Sequence, residues 1–121
     1  MEPINLEGKV VLVTGGGSGL GEATAQAFAC AGSNVVVVDL NRANAERVAK
    51  ELETYGVRAM PVCCDVSDEA AVFGIVQDTV NRFGRLDVVV NNAAVDHTIS
   101  IDEMTVAQWD QVVGVNLRGP F

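Results

Sequence analysis

The chain has 121 residues, enough for one domain with a hydrophobic core but too few for two. Hydrophobic residues make up 49% and charged residues 20%, which is typical of a soluble globular protein. The net charge of −8 argues against sequence-independent binding to nucleic acid or to an anionic membrane surface. No apolar run approaches the roughly 20 residues of a membrane-spanning helix, and the acidic start is unlike a signal peptide, so we expect a cytoplasmic protein.

The three cysteines, Cys30, Cys63 and Cys64, form neither an even disulfide set nor a CxxC pair. Their apolar neighbours favour small, reduced core residues over a redox role. No metal site is predicted, because His97 is the only histidine available as a ligand. His97 itself follows the fourth predicted strand and is interpreted as an exposed loop residue without a special role.

Apolar runs alternate with helical periodicity along the first half of the chain. Residues 9–14 and 34–39 are rich in valine and predict strands that are buried on both faces. The core face of the helix between them is predicted from helical spacing to contain Leu20, Ala23, Thr24, Ala27, Phe28 and Ala31. The core face of the next helix is predicted to contain Ala45, Val48, Ala49 and Leu52.

The same alternation continues through the second half. Residues 58–63 and 86–90 predict the third and fourth strands, and Ser67 is the expected cap of the helix between them. The apolar face of that helix is predicted to be Val72, Ile75, Val76, Val80 and Phe83. A last helix begins with the capping box Thr105-x-x-Gln108. Alternating strands and helices predict an α/β fold, a doubly wound parallel sheet with helices on both faces.

A glycine cluster joins the first predicted strand to the first helix, in the spacing Gly-x-x-x-Gly-x-Gly. Gly15 allows a sharp turn, Gly19 allows a diphosphate to approach the helix N-terminus, and Gly21 allows close packing of helix on strand. A plain tight turn is the alternative, but the position between a buried strand and a helix favours a dinucleotide site. Gly15, Ser18, Gly19, Leu20 and Gly21 are therefore predicted to bind a cofactor.

Asp39 ends the second predicted strand, 18 residues after Gly21. An acidic group there can accept hydrogen bonds from the adenosine ribose hydroxyls and would repel a 2′-phosphate. The glycine loop contains no basic residue, and Arg42 is the only nearby cation in the sequence. The prediction is therefore NAD rather than NADP, the alternative being that Asp39 merely caps the following helix.

These motifs together resemble the short-chain dehydrogenase/reductase family over the whole chain. They are Thr14-Gly15-x-x-x-Gly19-x-Gly21, Asp39, Asp65-Val66, Asn91-Asn92-Ala93-Ala94 and Asn116. The resemblance implies a Rossmann-type sheet with strand order 3-2-1-4. It also implies that Asp65 binds the adenine amino group and that Val66 lies beside its ring. Asn91 and Asn92 are implied to hold the end of the fourth strand and to line the cofactor site. From the residues alone, Asp65 could instead be a turn or cap residue, and the amides of Asn91 and Asn92 could be strand-end groups. Ala94 departs from the family's usual glycine.

Asn116 is predicted on the same face as the apolar residues of the last helix, and a buried amide needs hydrogen-bond partners. One interpretation is a structural amide that bonds the neighbouring strand. The resemblance implies another, in which Asn116 holds a water in a proton relay to the family's catalytic lysine.

The resemblance implies an NAD-dependent oxidoreductase that interconverts an alcohol and a carbonyl on a small-molecule substrate, and a homo-oligomer at full length. Residues 1–121 are expected to be its amino-terminal, dinucleotide-binding part, because the family's serine and Tyr-x-x-x-Lys are missing: the only tyrosine is Tyr55, and position 59 is Ala59. The isolated chain is expected to be inactive and prone to aggregate. The rival hypothesis is a non-catalytic dinucleotide-binding or interaction module. An epimerase on the same fold is disfavoured by the glycine spacing.

Overall fold

The computed structural model describes residues 2–121 as a single parallel sheet with helices on both faces. The strands are β1 (Val10–Thr14), β2 (Asn34–Asp39), β3 (Ala59–Cys63) and β4 (Val88–Val90). The helices are α1 (Gly19–Cys30), α2 (Arg42–Glu53), α3 (Glu69–Phe83) and α4 (Val106–Val113), and α4 continues into a π-helical turn at Gly114–Arg118. The sheet order is β3-β2-β1-β4, which confirms the predicted Rossmann-type topology.

Alternate residues of β1 and β2 point into two separate cores. Val11 and Val13 of β1 lie with Val35 and Val37 of β2 in a core formed with α1 and α2. Val10, Leu12, Val36 and Val38 lie on the opposite face with Ile75 of α3. Because both faces are covered by helices, these strands are apolar at consecutive positions, residues 10–13 and 35–38, rather than at every second one.

The predicted core face of α1 is wrong. The buried residues of this helix are Gly21, Ala25 and Ala29, whereas Leu20 is 76% exposed and Ala23 and Ala27 are also exposed. Small residues spaced four apart let α1 lie close to the sheet, and that close approach decides the orientation more than hydrophobicity does. Of the larger predicted residues, Phe28 still packs against the core from its edge.

The second helix matches its prediction, since its buried residues are the four expected ones.

Several local predictions are corrected. Asp68 rather than Ser67 caps α3, because the Asp68 side chain accepts a hydrogen bond from the Ala71 N–H. Val76 and Val80 are about two-fifths exposed, so the buried part of α3 is narrower than predicted. Among the cysteines, Cys64 is buried, but Cys30 and Cys63 are exposed.

The last helix lies mostly outside the core. The capping box is confirmed, with Thr105 and Gln108 each bonding the other's backbone N–H. No residue of α4 is fully buried, and Trp109 is 54% exposed. At the edge of the sheet, Val89 of β4 is 49% exposed. No helix in residues 2–121 combines the length and hydropathy needed to cross a membrane.

Asp87 joins the amino ends of β1 and β4. Its carboxylate accepts hydrogen bonds from the Val10 N–H, at 2.9 Å, and from the guanidinium of Arg85, at 2.7 and 2.8 Å. The Asp87 N–H in turn donates to the Val10 carbonyl at 2.9 Å. This contact helps to fix β4, and therefore the residues that follow it, relative to β1.

A pair of leucine variants tests the corrected orientation of α1. Leu52→Ala in the α2 core should lower the free energy of unfolding by about 2–5 kcal/mol, because it leaves a cavity at a fully buried position. Leu20→Ala should change it by less than about 0.5 kcal/mol, because Leu20 is mostly exposed. Urea unfolding of both variants measures the difference. If Leu20→Ala lowered the free energy of unfolding as much as Leu52→Ala, Leu20 would belong to the core face of α1, as predicted from the sequence.

The Asp87 contact should make stability depend on pH. Arg85, followed by the backbone N–H of Val10, lowers the pKa of Asp87 below its usual value. A lowered pKa in the folded state means that the stabilisation is present above the unfolded-state pKa of about 3.9 and is lost as the pH falls through the folded-state value. Asp87→Asn should therefore flatten the decline of the urea midpoint from pH 5 to pH 3. Asp78→Asn on α3 is the control, and identical declines in Asp87→Asn and the parent would contradict this assignment.

Candidate functional site

A cleft of about 380 Å³ lies at the carboxyl ends of the strands, where β1 is flanked by β2 on one side and β4 on the other. Ligands bind at this point of an open α/β sheet, because the chain connections on the two sides of it run in opposite directions and open a crevice between them. The cleft brings together eight of the nine residues predicted to bind a cofactor: Gly15, Ser18, Gly19, Leu20, Asp39, Asp65, Val66 and Asn92. The ninth, Gly21, is buried behind Gly15.

The glycine loop leaves the N-terminus of α1 open to the cleft. Gly15 and Gly19 have φ of +64° and +54°, which L residues with side chains rarely adopt. A Cβ added at Gly19 would meet no atom within 4 Å, so the space above it is open. Ser18 is the N-cap residue, but its side chain makes no capping bond. The first backbone N–H groups of α1 are therefore available to an anion in the cleft.

Gly21 and Asn92 hold the loop against the end of β4. A Cβ at Gly21 would lie 2.6 Å from Nδ2 of Asn92 and would also collide with the Gly15 carbonyl. The Asn92 Nδ2 donates to the backbone carbonyls of Thr14 and Gly15, at 3.1 and 3.2 Å. Asn92 thus serves as a strand-end group as well as lining the cleft. Asn91 is exposed and does not line this cleft.

The Thr14 hydroxyl makes structural hydrogen bonds that were not predicted from the sequence. Its Oγ1 accepts hydrogen bonds from the N–H groups of Asn92 and Ala93, both at 3.0 Å. The same hydroxyl lies 3.4 Å from the Val90 carbonyl, to which it donates. The only signal in the sequence was a threonine where β1 meets the glycine loop.

Asp39 faces the glycine loop rather than capping α2. Its Oδ2 accepts a hydrogen bond from the Gly17 N–H at 3.0 Å, and its Oδ1 accepts one from the Asn41 N–H at 2.9 Å. The cap of α2 is Asn41, whose side chain accepts from the Asn44 N–H. The alternative role considered for Asp39 is therefore wrong, and its carboxylate is held at the wall of the cleft.

Arg47 on α2 also bonds the loop, and the sequence reasoning missed it. Its Nη2 donates to the Gly17 carbonyl at 3.1 Å and to Glu22 of α1 at 2.8 Å, and its Nη1 donates to Glu51 at 3.2 Å. Glu22 and then Glu51 raise the pKa of Arg47 above its ordinary value. The i,i+4 spacing of Arg47 and Glu51 on α2 is a local pattern, but Gly17 and Glu22 lie on other segments, so no local pattern could have indicated the contacts with the loop and α1.

Asp65 lies just beyond β3 on the other wall of the cleft. Its Oδ1 accepts hydrogen bonds from the Ser67 N–H at 2.9 Å and from the Ser67 hydroxyl at 2.6 Å. The hydroxyl, followed by the N–H, lowers the pKa of Asp65 below its usual value. Because these bonds use Oδ1, Oδ2 can accept a hydrogen bond from a ligand. The turn role considered from the sequence is present, and Val66 beside it is half-buried in the cleft.

Asn116 lies in the π-helical turn and is exposed rather than buried as expected. Its Oδ1 accepts from the Val95 N–H and its Nδ2 donates to the Val95 carbonyl, both at 2.9 Å. The side chain therefore bonds the loop after β4. Its backbone carbonyl has no helical donor four residues later, because Pro120 carries no N–H.

A second contact joins the same loop to α4. His97 is half-buried rather than exposed, and its Nε2 lies 2.7 Å from Oε1 of Gln111. Within residues 2–121, no three His, Cys, Asp or Glu side chains come together as metal ligands.

Comparison with known proteins places this cleft in a family. A sequence model described as short chain dehydrogenase matches residues 9–121. A short chain dehydrogenase/reductase of Colletotrichum higginsianum is 44% identical over 96% of this chain and 44% of its own length. The chain spans about half the length of the curated relatives it matches.

Solved structures agree with the sequence match. The 3-ketoacyl-(acyl-carrier-protein) reductase of Brucella melitensis, complexed with NADH, has a TM-score of 0.90 and 44% identity over 96% of this chain and 47% of that one. A short chain dehydrogenase of Mycobacterium paratuberculosis bound to NAD has a TM-score of 0.91 and 26% identity over 95% of this chain and 47% of that one. The chain described here belongs to the short-chain dehydrogenase/reductase family.

Proposed function

We propose that residues 1–121 form the dinucleotide-binding part of an NAD-dependent oxidoreductase that interconverts an alcohol and a carbonyl by hydride transfer. The observation that carries the proposal is the cleft itself. It places an open helix N-terminus beside Asp39, with Asp65 farther along the same side, and both carboxylates are held in position by backbone and side-chain donors. A centre that binds anions, with two hydrogen-bond acceptors in succession on one side of it, suits an adenine dinucleotide.

The diphosphate would lie against the first turn of α1. Ser18, Gly19 and Leu20 line the cleft there, and the unpaired N–H groups of the first helical turn favour negative charge. Gly19 leaves room for close approach to the backbone, since a Cβ there would point into open space along the path of the ligand. Gly15 and Gly21 act indirectly, by allowing the loop to pack against the end of β4.

The adenosine would extend from Asp39 towards Asp65. Each carboxylate oxygen of Asp39 already accepts one hydrogen bond from a backbone N–H and can accept a second from a ribose hydroxyl. Oδ2 of Asp65 would accept a hydrogen bond from the adenine amino group, and Val66 would pack beside the adenine ring. The NADH and NAD carried by the two structural relatives support a nicotinamide dinucleotide.

NAD is favoured over NADP by charge. A 2′-phosphate beside Asp39 would bring like charges together, which costs several kcal/mol in a partly dry site. Arg47 is close to the loop, but its guanidinium is already bonded to Glu22, Glu51 and the Gly17 carbonyl. Arg42 is exposed at the first position of α2 and is the remaining cation nearby.

The bound cofactor would accept the hydride when an alcohol is oxidised and donate it when a carbonyl is reduced. The family's general acid/base, a tyrosine with a lysine four residues later, has no counterpart in this sequence. Tyr55 is half-exposed in the turn after α2, at the end of the sheet opposite the cleft, and Ala59 occupies the fourth position after it. The binding site for the small-molecule substrate and the proton-transferring groups would therefore be contributed by the remainder of the full-length protein.

Asn116 would hold a water of the proton relay through its backbone carbonyl, because its side chain is already committed to Val95. The π-helical turn and Pro120 leave that carbonyl without a four-residue helical bond. Such single π-helical turns frequently occur at functional sites.

Cofactor titration of the full-length protein tests the proposed binding function. NADH should bind at least about tenfold more tightly than NADPH, because Asp39 repels a 2′-phosphate. Nicotinamide fluorescence measures both affinities. Asp39→Asn should reduce that ratio, whereas Asp78→Asn on α3 should leave it unchanged. Equal affinity for NADH and NADPH in the parent protein would contradict the assignment of Asp39. Binding of NADH without turnover of any alcohol or carbonyl would favour the non-catalytic module.

The relay is tested by Asn116→Ala in the full-length protein. Alanine keeps the backbone carbonyl but loses both hydrogen bonds to Val95, so the turn would shift and displace the carbonyl from the water. We therefore expect kcat to fall by about 10²-fold, the lower end of what proton-transfer groups contribute, with NADH affinity changed less than about twofold. Gln111→Ala is the matched control, because it removes the other contact between α4 and the loop after β4. A fall in kcat of the same size in both variants would assign Asn116 a structural role only.

A further inference from the structure

We infer that Arg47 is a positioning residue for cofactor binding, acting on the diphosphate through the peptide of Gly17 rather than by contact with the ligand. The inference rests on the proposed dinucleotide site and adds to it a residue outside the cleft. Arg47 lies on α2 and does not line the cleft.

Gly17 is held through both of its backbone polar groups. Its N–H donates to Oδ2 of Asp39 at 3.0 Å, and its carbonyl accepts from Nη2 of Arg47 at 3.1 Å. Gly17 immediately precedes Ser18, the N-cap residue of α1. The orientation of this one residue therefore sets the direction in which the chain enters the helix whose N-terminus faces the cleft.

Close packing prevents Gly17 from moving independently of β2 and α2. A Cβ added to Gly17 would lie 2.7 Å from Oδ2 of Asp39 and 2.8 Å from Cβ of Asn44. Gly17 is buried, so water has little access to replace the two hydrogen bonds. The loop that would bind the diphosphate and the carboxylate that would bind the ribose consequently form one unit.

Arg47 reaches this unit as a hydrogen-bond donor rather than as a free cation. Glu22 and Glu51 both pair with its guanidinium, at 2.8 and 3.2 Å, which compensates its charge locally. The planar fork of the arginine presents donors in fixed directions to two carboxylates and a carbonyl at once. Loss of Arg47 would leave the Gly17 carbonyl without its donor and separate α1 from α2 at Glu22.

The affected part of the ligand follows from this geometry. Adenosine would contact Asp39 and Asp65, whose remaining hydrogen bonds to Asn41 and Ser67 do not involve Arg47. The diphosphate would contact the loop that Arg47 holds. Removal of Arg47 should therefore weaken binding of a complete dinucleotide while leaving binding of adenosine almost unchanged.

The test compares Arg47→Met with Lys50→Met in the full-length protein, since both remove one exposed cation from α2 but Lys50 makes no contact with the loop. Affinities for NADH and for adenosine are measured by calorimetry. We expect Arg47→Met to weaken NADH binding by about tenfold, the effect of losing one charge-assisted hydrogen bond, and to change adenosine binding less than about twofold. Lys50→Met should change neither by more than about twofold.

A second readout does not depend on cofactor binding. Without ligand, amide hydrogen exchange in peptides that span residues 15–22 should accelerate at least about threefold in Arg47→Met and remain at the parent rate in Lys50→Met. Unchanged exchange in Arg47→Met, unchanged NADH affinity, or an equal loss of adenosine affinity would each overturn the inference. A parent protein that binds neither NADH nor NADPH would refute the proposed function, and the exchange rates would then report a structural contact alone.

Discussion

The structure depends on the hydrogen bonds that Asn92 makes to the loop between β1 and α1. One amide nitrogen bonds the carbonyls of Thr14 and Gly15, while the Thr14 hydroxyl receives the N–H groups of Asn92 and Ala93. These contacts join segments that are more than 70 residues apart in sequence. Without them, the glycine loop would be free to leave β4, and the cleft would lose its common wall.

The charged groups around the cleft have distinct functions that depend on their partners. Asp39 is directed by two backbone N–H groups towards the glycine loop, and Asp65 is directed by Ser67 along the far wall. Arg47 is bonded to two carboxylates, so it stabilises the loop without making the cleft positive. The positive potential that an anion would encounter therefore comes mainly from the backbone of α1.

The sequence predicted the parts of the fold that depend on strong periodicity. Valine at the four central positions of β2 required burial on both faces, and the spacing of Ala45, Val48, Ala49 and Leu52 specified one face of α2. The face of α1 was not predictable in the same way. Its contact with the sheet is made by Gly21 and two alanines, whose small size matters more than their hydrophobicity.

The candidate site divides along similar lines. Residues within continuous motifs, such as Gly15, Gly19 and Asp39, could be predicted because each occupies a defined place at the end of a strand or the start of a helix. The contacts that Thr14 and Arg47 make with other elements could not be predicted, because they depend on the relative position of those elements. Asn116 is an intermediate case, since its need for partners was predicted but its exposure in a π-helical turn was not.

The close packing of Gly17 against Asp39 links two positions that would otherwise vary independently. A larger residue at 17 has no room unless Asp39 and Asn44 both give way, because its Cβ would approach Oδ2 of Asp39 to 2.7 Å and Cβ of Asn44 to 2.8 Å. Replacement of Asp39 alone removes the acceptor of the Gly17 N–H and leaves a gap beside it. An evolutionary path to a different cofactor preference would therefore show epistasis, in which each change is harmful until the other has occurred.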